Sequence, residues 1–285
     1  MHVVMGVTGK VGGAVARALL AEGLPVRAVV RDAAKARAWA EAGCELAVAD
    51  LDNAPALTVA FTGAEAAFAM LPPLFDPSPD YPEAKAMIAT VCTALAAAAP
   101  GRVVALSTVG ADVERPNLLN QLRLLEQSLA ALPMSVAFLR AAWFMENAAG
   151  DLASARDSGV IQSYLQPLDR PIPMVSSEDV GRTAAAMLQE RWDGARVVEL
   201  EGERVSAERL AGAFSQALGK PVRAEAVPRA DWEAIFRAQG MRNPAPRIQM
   251  IDGFNEGWID FADQGRRARK GAVSVDEAIA RLARD

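Results

Sequence analysis

Short apolar runs recur along the first half of the chain, at residues 3–5, 26–30, 45–49, 66–71, 102–106 and 134–139. Such runs of three to six residues, bounded by Gly, Pro or Asp, predict buried strands. Between them the apolar positions follow helical spacing. Val11, Val15, Ala18 and Leu19 share one face of a predicted helix over 10–22, which Gly23 and Pro25 stop. An alanine-rich helix follows Arg31-Asp32 and ends at Gly43, and another lies between 52 and 66. Met87, Ile88, Val91, Cys92 and Leu95 mark a long helix, and a further one is predicted over about 117–131. Strands and helices that alternate with short connections imply a parallel sheet covered on both faces, a doubly wound α/β fold. Ligands of such folds bind at the carboxyl ends of the strands.

Past Asp151 the alternation breaks. Ser176-Ser177-Glu178-Asp179 predicts a helix start, with its acids where the helix dipole favours them. Residues 197–200 predict one more strand of the same sheet, so residues 176–202 would complete it. Helices are then expected over 207–218, 231–239, about 254–261 and 275–283. The chain thus divides into a dinucleotide-binding domain over 1–150 and a smaller, mainly helical lobe over 151–285 that closes over the cleft. No internal repeat appears.

The first predicted strand leads into Gly6-Val7-Thr8-Gly9-Lys10-Val11-Gly12. This GxxGxxG spacing, between a strand and a helix, is a relative of the dinucleotide fingerprint. Gly6 makes the tight turn, Gly9 lets the backbone close on a pyrophosphate, and Gly12 lets the helix pack near the strand. The free N–H groups of the helix start would face the phosphates, and Lys10 adds a cation. Arg31 follows the second strand, where an adenosine ribose would lie, and a guanidinium there suits a 2′-phosphate. Lys35 could add a second cation. Asp32 offers itself either to a free 2′-hydroxyl or as a helix cap. NADP(H) is therefore the preferred cofactor, with NAD(H) open as an alternative. Asp50 and Leu51 would flank the adenine, Asp52 serves as a cap, and Leu71 and Pro72 would lie along the nicotinamide half.

Composition narrows the chemistry. The 285 residues are 52% hydrophobic, enough for a sizeable core, and the net charge is −5. Nothing in that balance calls for a nucleic acid or an anionic membrane, and Arg266 to Lys270 is read as a solvated basic face. No apolar run is long enough for a bilayer, and the first strand leaves no room for a leader. Cys44 and Cys92, without a CxxC spacing, fit buried thiols of a reducing cytoplasm. The single histidine, His2, lies on the first strand, which argues against a Ser-His-Asp triad or a His-ligated metal. The only tyrosines are Tyr81 and Tyr164.

The glycine loop resembles the GATGxxG loop of atypical short-chain dehydrogenases/reductases. Arg31-Asp32 is similar to that group's VRD segment, and Leu139-Arg140 with Phe144-Met145-Glu146-Asn147 resembles the LR…F-x-E-N segment of its NmrA-like branch. Pro173 to Gly181 resembles that branch's later helix start. The resemblance implies a Rossmann fold and NADP(H) binding. It implies either an NADPH-dependent reductase of quinones or dyes, or a redox sensor that binds NADP(H) and acts through a protein partner. An isomerase or epimerase ranks last.

Typical members of the superfamily use a serine after the fifth strand with a tyrosine and lysine spaced YxxxK, the tyrosine acting as acid. Ser107 and Thr108 occupy the serine position and would meet the nicotinamide end of the cofactor. The following helix holds no tyrosine, and Leu122-Arg123 stands where many relatives carry lysine. Tyr81-Pro82-Glu83-Ala84-Lys85 has the spacing but precedes the serine strand, so it is taken as chance. No catalytic residue is therefore assigned. Tyr81, Trp143, Phe144 and Asn147 are the residues expected to line the space for a small-molecule acceptor, the aromatics as a flat wall or as packing between lobes. A homodimer is also open.

Overall fold

The computed structural model describes residues 1–284. Its elements in chain order are β1 (His2–Met5), α1 (Lys10–Ala21), β2 (Val26–Val30), α2 (Arg37–Glu41), β3 (Glu45–Val48), α3 (Ala54–Phe61), β4 (Ala66–Ala69), α4 (Pro82–Ala98) and β5 (Arg102–Thr108). Next come α5 (Asn120–Ala130), β6 (Ser135–Ala141), β7 (Trp143–Phe144), α6 (Leu152–Ser158), β8 (Val160–Ser163), β9 (Ile172–Val175), α7 (Ser177–Gln189) and β10 (Ala195–Glu201). The remainder is β11 (Arg204–Val205), α8 (Ala207–Leu218), β12 (Arg223–Ala226), α9 (Trp232–Ala238), α10 (Ala245–Glu256), β13 (Arg269–Lys270) and α11 (Val275–Leu282).

Eight strands form one sheet in the order β13-β10-β6-β5-β4-β1-β2-β3, and every neighbouring pair is parallel. The order reverses between β1 and β4, which opens a crevice at their carboxyl ends. Strand alternation divides the core. Val3, Met5, Ala67, Ala69, Val103, Ala105, Val136 and Phe138 turn to the face covered by α3, α4 and α5. Val4, Phe68, Val104, Leu106, Ala137 and Leu139 turn to the other face, with α1 and α7. Both faces are apolar, as parallel strands require. Two small sheets, β11-β9-β7 and β12-β8, stand beside the large one.

The doubly wound order expected from the apolar rhythm is what the chain adopts, and the strand expected over 197–200 does join the same sheet, as β10, where it pairs with β6. Several details differ. The stretch after Asp32 is a series of turns, and α2 begins only at Arg37 with Ala36 as its cap. Asp32 Oδ1 instead accepts the Ala34 N–H at 2.9 Å and holds a turn. Asn53, not Asp52, caps α3, by accepting from Ala56 N at 3.0 Å. The helix expected near 254–261 is α10, nine residues earlier at its start; Pro244 and Pro246 flank its first turn, where a missing N–H costs nothing. The basic run is mostly exposed, but Arg269-Lys270 is also the edge strand β13, with ion pairs to Glu190 and Glu201.

Candidate functional site

The crevice begins at the loop between β1 and α1. Gly6 sits at φ +69°, a backbone state that favours glycine, and its carbonyl accepts the Gly9 N–H at 2.9 Å. Gly12 is the tightest point: a Cβ there would lie 2.3 Å from the Gly6 carbonyl oxygen and 2.5 Å from that of Met5. At Gly9 the nearest atom to such a Cβ would be the Gly6 oxygen at 3.3 Å, so that position faces open space on its other sides. Gly9 caps α1 with no side-chain hydrogen bond, and no acid occupies the first turn. Thr8, Gly9 and Lys10 are exposed, and Val11 is buried beneath them. The result is a bare helix start, a ready-made place for an anion.

The helix behind this loop is fixed from beneath. A Cβ on Gly181 of α7 would meet the Ala14 Cβ at 2.3 Å, so α1 and α7 touch backbone to backbone. The start of α7 is held in turn by the segment after β7. Glu146 accepts the Ser177 N–H at 2.9 Å and its hydroxyl at 2.6 Å. Ser176 caps the same helix by accepting from Asp179 N. Asp179, 4% exposed, accepts the Val273 N–H at 2.9 Å. Burial alone would raise its pKa, but the Val273 and Ala272 N–H groups, with Ser176 and Arg182, outweigh that cost and hold the carboxyl below the usual carboxylate range. The motif residues Glu146 and Asp179 are therefore pins for the fold.

The other cofactor candidates fall around the crevice mouth. Arg31 is exposed past β2 and makes no ion pair among the described residues, as is true of Lys10. Lys35 Nζ lies 3.9 Å from Asp32, both exposed. Asp50 folds its carboxylate back onto the Leu51 N–H at 2.7 Å. Leu71 is buried and Pro72 exposed just past β4.

Ser107 is placed differently from expectation. Strand β5 runs two residues longer than its apolar core, to Thr108, so alternation turns Ser107 to the side of Val103 and Ala105. There it is 3% exposed and its hydroxyl donates to Glu126 of α5 at 2.5 Å. Glu126 is also held by Arg140 through Nε at 2.9 Å and Nη2 at 2.7 Å, and Arg140 reaches Asp112 at 2.8 Å. The Leu139-Arg140 motif thus supplies a buried ionic girder between β5, α5 and β6. The Ser107 side chain is spent on it, which leaves Thr108, on the opposite face, and the backbone of this strand end for the crevice.

The proline-rich loop after β4 and the segment leading into α10 close over the carboxyl edge together. Asp76 accepts the Arg242 and Asn243 N–H groups at 3.0 and 2.7 Å, contacts that hold its carboxyl below the usual range. Asn243 donates to Pro77 O, and Leu118 N donates to Pro246 O at 2.9 Å. At the far end of α10, Phe254 meets Trp143 edge to face, with ring centroids 5.2 Å apart. Helix α10 therefore lies across the ends of β4, β5 and β6.

Two adjoining open recesses of about 300 and 290 Å³ flank Tyr81 on this edge. The Tyr81 hydroxyl donates to the Asn117 carbonyl at 2.9 Å, and burial, with the charge of Asp80, pushes its pKa up. Tyr81 caps α4 and Lys85 lies one turn inside, so their YxxxK spacing is that of a helix start. Phe144 is half-buried in β7; Asn147 is exposed on a 3-10 segment after it and is not joined to the recesses by any hydrogen bond among the described residues. Sequence reasoning missed α10 altogether as a wall of the site. Among the described residues no group of acids, cysteines or histidine is arranged to hold a metal, and no helix is long and apolar enough to cross a membrane.

A model of the NmrA-like family matches residues 2–256. The NAD(P)H azoreductase of Xenophilus azovorans is 27% identical over 258 residues, covering 90% of this chain and 85% of that protein. Quinone oxidoreductase 2 of Escherichia coli (strain K12) is 26% identical, covering 85% and 82%. Among solved structures, the NADPH-dependent quinone oxidoreductase of Escherichia coli in complex with NADPH superposes with a TM-score of 0.81 at 24% identity, covering 99% of each chain. The triphenylmethane reductase of Citrobacter sp. in complex with NADP(H) gives 0.81 at 21% identity, over 99% of this chain and 100% of its own.

Proposed function

Because the chain belongs to the NmrA-like family, we propose that it is an NAD(P)H-dependent reductase of a small planar acceptor of the quinone type. The observation that carries this reading is the start of α1: a helix N-terminus left bare by Gly9 and pressed onto β1 at Gly12, with Lys10 and Arg31 free of ion pairs among the described residues. The relatives named above, an NAD(P)H azoreductase and a quinone oxidoreductase, support the same reading.

In this reading the backbone N–H groups at Lys10 and Val11 hold the pyrophosphate, Gly9 lets it approach the helix start, and Gly6, Thr8 and Gly12 shape the turn. Arg31, with Lys35, takes the 2′-phosphate, which makes NADP(H) the preferred form. Asp50 and Leu51 flank the adenine. Leu71, Pro72, Thr108 and the backbone at Ser107 border the nicotinamide. Residues 1–150, with 176–202 completing the sheet, form the binding domain and the rest of 151–285 the cap, with Tyr81, Trp143 and Phe144 facing the acceptor.

When bound, a reduced nicotinamide supplies a hydride, and a quinone that accepts it needs one further proton to become a hydroquinone. The nearby hydroxyls are spoken for, Tyr81 on Asn117, Ser107 on Glu126 and Thr108 on the Val109 carbonyl. The proton therefore comes from water, and the chain's part is to hold the acceptor flat and in place. Free Cys44 and Cys92 support the reducing cytoplasm as the compartment in this reading.

Calorimetric titration with NADPH and NADH, followed by a panel of quinones and dyes with the nicotinamide absorbance monitored, tests this. Tight NADPH binding with acceptor-dependent oxidation is the expected result. Tight binding without turnover on any acceptor would instead make the chain a cofactor-binding sensor acting through a protein partner. Binding of neither nucleotide would refute both.

A further inference from the structure

Arg247, on α10, is a cation without an acid. No carboxylate among the described residues lies within ion-pair distance of it. Other arginines that packing encloses are matched: Arg140 by Glu126 and Asp112, Arg204 by Asp260, Arg102 by Glu65. The Arg247 guanidinium lies over the Phe236 ring, 4.5 Å from its centroid, with the Phe75 ring at 5.8 Å. Its one hydrogen-bond acceptor is the Met241 sulfur, 3.7 Å from Nη1. Burial drives its pKa down. Stacking on aromatic faces recovers part of the cost of enclosing such a charge. It does not satisfy a fork of five N–H donors. Nε and Nη2 make no hydrogen bond among the described residues, and the residue is only partly buried.

The position matters as much as the charge. Phe75 is on the loop after β4 and is 55% exposed. Pro246, next to Arg247, is bonded to Leu118 in the loop after β5. Arg247 and Phe254 are seven residues apart on α10, hence on one helix face and about 10 Å apart along it. Phe254 is the residue that backs Trp143. One face of one helix thus carries an aromatic wall at one end and an unpaired guanidinium at the other. That spacing matches a fused-ring plane with an acid at its rim.

We propose that the acceptor is a planar aromatic molecule bearing a carboxylate or sulfonate, and that Arg247 is the specificity residue that holds this anionic group. This rests on the reductase reading above. A guanidinium clamps such a group through paired N–H donors, a charge-assisted bond that the partner-free fork is shaped to make. Neutral quinones would use the same wall and forgo the clamp.

The test uses a matched pair of acceptors, 1,2-naphthoquinone and 1,2-naphthoquinone-4-sulfonate, on the full chain and on Arg247→Gln and Arg247→Lys. The quantity read is the kcat/KM ratio of sulfonate to neutral acceptor within each protein, referred to the unaltered chain, so the acceptors' own reactivities cancel. Arg247→Gln is expected to lower this ratio about tenfold or more, with Arg247→Lys between. In parallel, naphthalene-2-sulfonate binding to the NADP⁺-saturated protein is followed by calorimetry and should be lost in Arg247→Gln. An unchanged ratio, an equal loss for both acceptors, or an equal loss of NADPH affinity overturns the assignment. Turnover of neither acceptor would refute the reductase reading, and the naphthalene-2-sulfonate titration would still decide Arg247: binding lost in the variant upholds it, and no binding to the unaltered chain sinks it.

Discussion

The hydroxyl of Ser107 donates to Glu126 at 2.5 Å, inside the layer between β5 and α5. A serine in that strand position would ordinarily be read as facing a cofactor, and here it braces an ion pair. Ser107→Ala should therefore cost stability, about 1–2 kcal/mol in urea unfolding, for a buried hydrogen bond to a charged group. NADPH affinity should stay nearly unchanged. A loss of affinity of about tenfold in a variant that folds normally would return Ser107 to the cofactor.

Gly9 and Gly12 should separate binding from folding. Gly9 has an extended backbone, φ −96° and ψ 174°, and a methyl group there would meet one atom, the Gly6 oxygen, at a tight 3.3 Å, with room on its other sides. Gly9→Ala should melt like the unaltered chain yet bind NADPH more weakly, because the methyl group stands where the pyrophosphate must approach. Gly12→Ala has no such room and should lower the melting temperature, since overpacking costs about 1–3 kcal/mol and here the neighbour is backbone. Equal behaviour of the two variants in melting and in titration would contradict the arrangement of the loop.

Arg31→Ala should discriminate between the two nucleotides. Loss of a charge-assisted contact to the 2′-phosphate predicts NADPH affinity about tenfold to a hundredfold lower, with NADH affinity little altered. Calorimetry on both nucleotides reads this directly, and matching losses would remove Arg31 from the 2′-phosphate.

Asp151 should make stability depend on pH. It sits at the start of α6 with no side-chain hydrogen bond among the described residues, and burial pushes its pKa up to about 6. An unfolded aspartate titrates near 3.9, so the folded chain holds its proton more firmly than the unfolded one. Stability from this group is then greatest in acid. It declines as pH rises from about 4 to about 6 and has gone above that. Asp151→Asn should raise stability by about 1–3 kcal/mol at neutral pH and by little near pH 4. Denaturant midpoints at the two pH values check the sign.

Much of this architecture was legible because its signals are local. The glycine spacing, the apolar rhythm of β1 to β6 and the capping residues before α7 each declare themselves within a few positions. The orientation of Ser107 was not legible, since it depends on where β5 ends, and two polar residues extend the strand beyond its apolar run. Asp32 and Asp52 looked like caps because both precede helical stretches; Ala33 to Ala36 make turns first, and Asn53 sits one place nearer to α3. The small sheets were invisible for a different reason. Trp143-Phe144 and Arg204-Val205 are two residues long and owe their form to the distant segment Ile172–Val175. Arg247 has no signature in sequence at all. Its lack of an acid is a property of what packing brings near it.

The contact between Ala14 and Gly181 also bears on how the chain comes to be folded. Helix α1 obtains its floor from α7, which is made only after all six of the first long strands and helices α1 to α6. The glycine loop therefore leaves the ribosome early and waits. Until residues 177–189 arrive, one side of α1 has nothing of its own to lie against, and its apolar stripe is open to other surfaces. Contacts so far separated in sequence make folding slow and leave partly formed sheets exposed meanwhile. A nucleotide that grips the loop would favour the finished arrangement over those intermediates, so refolding yield should rise when the cofactor is in the buffer.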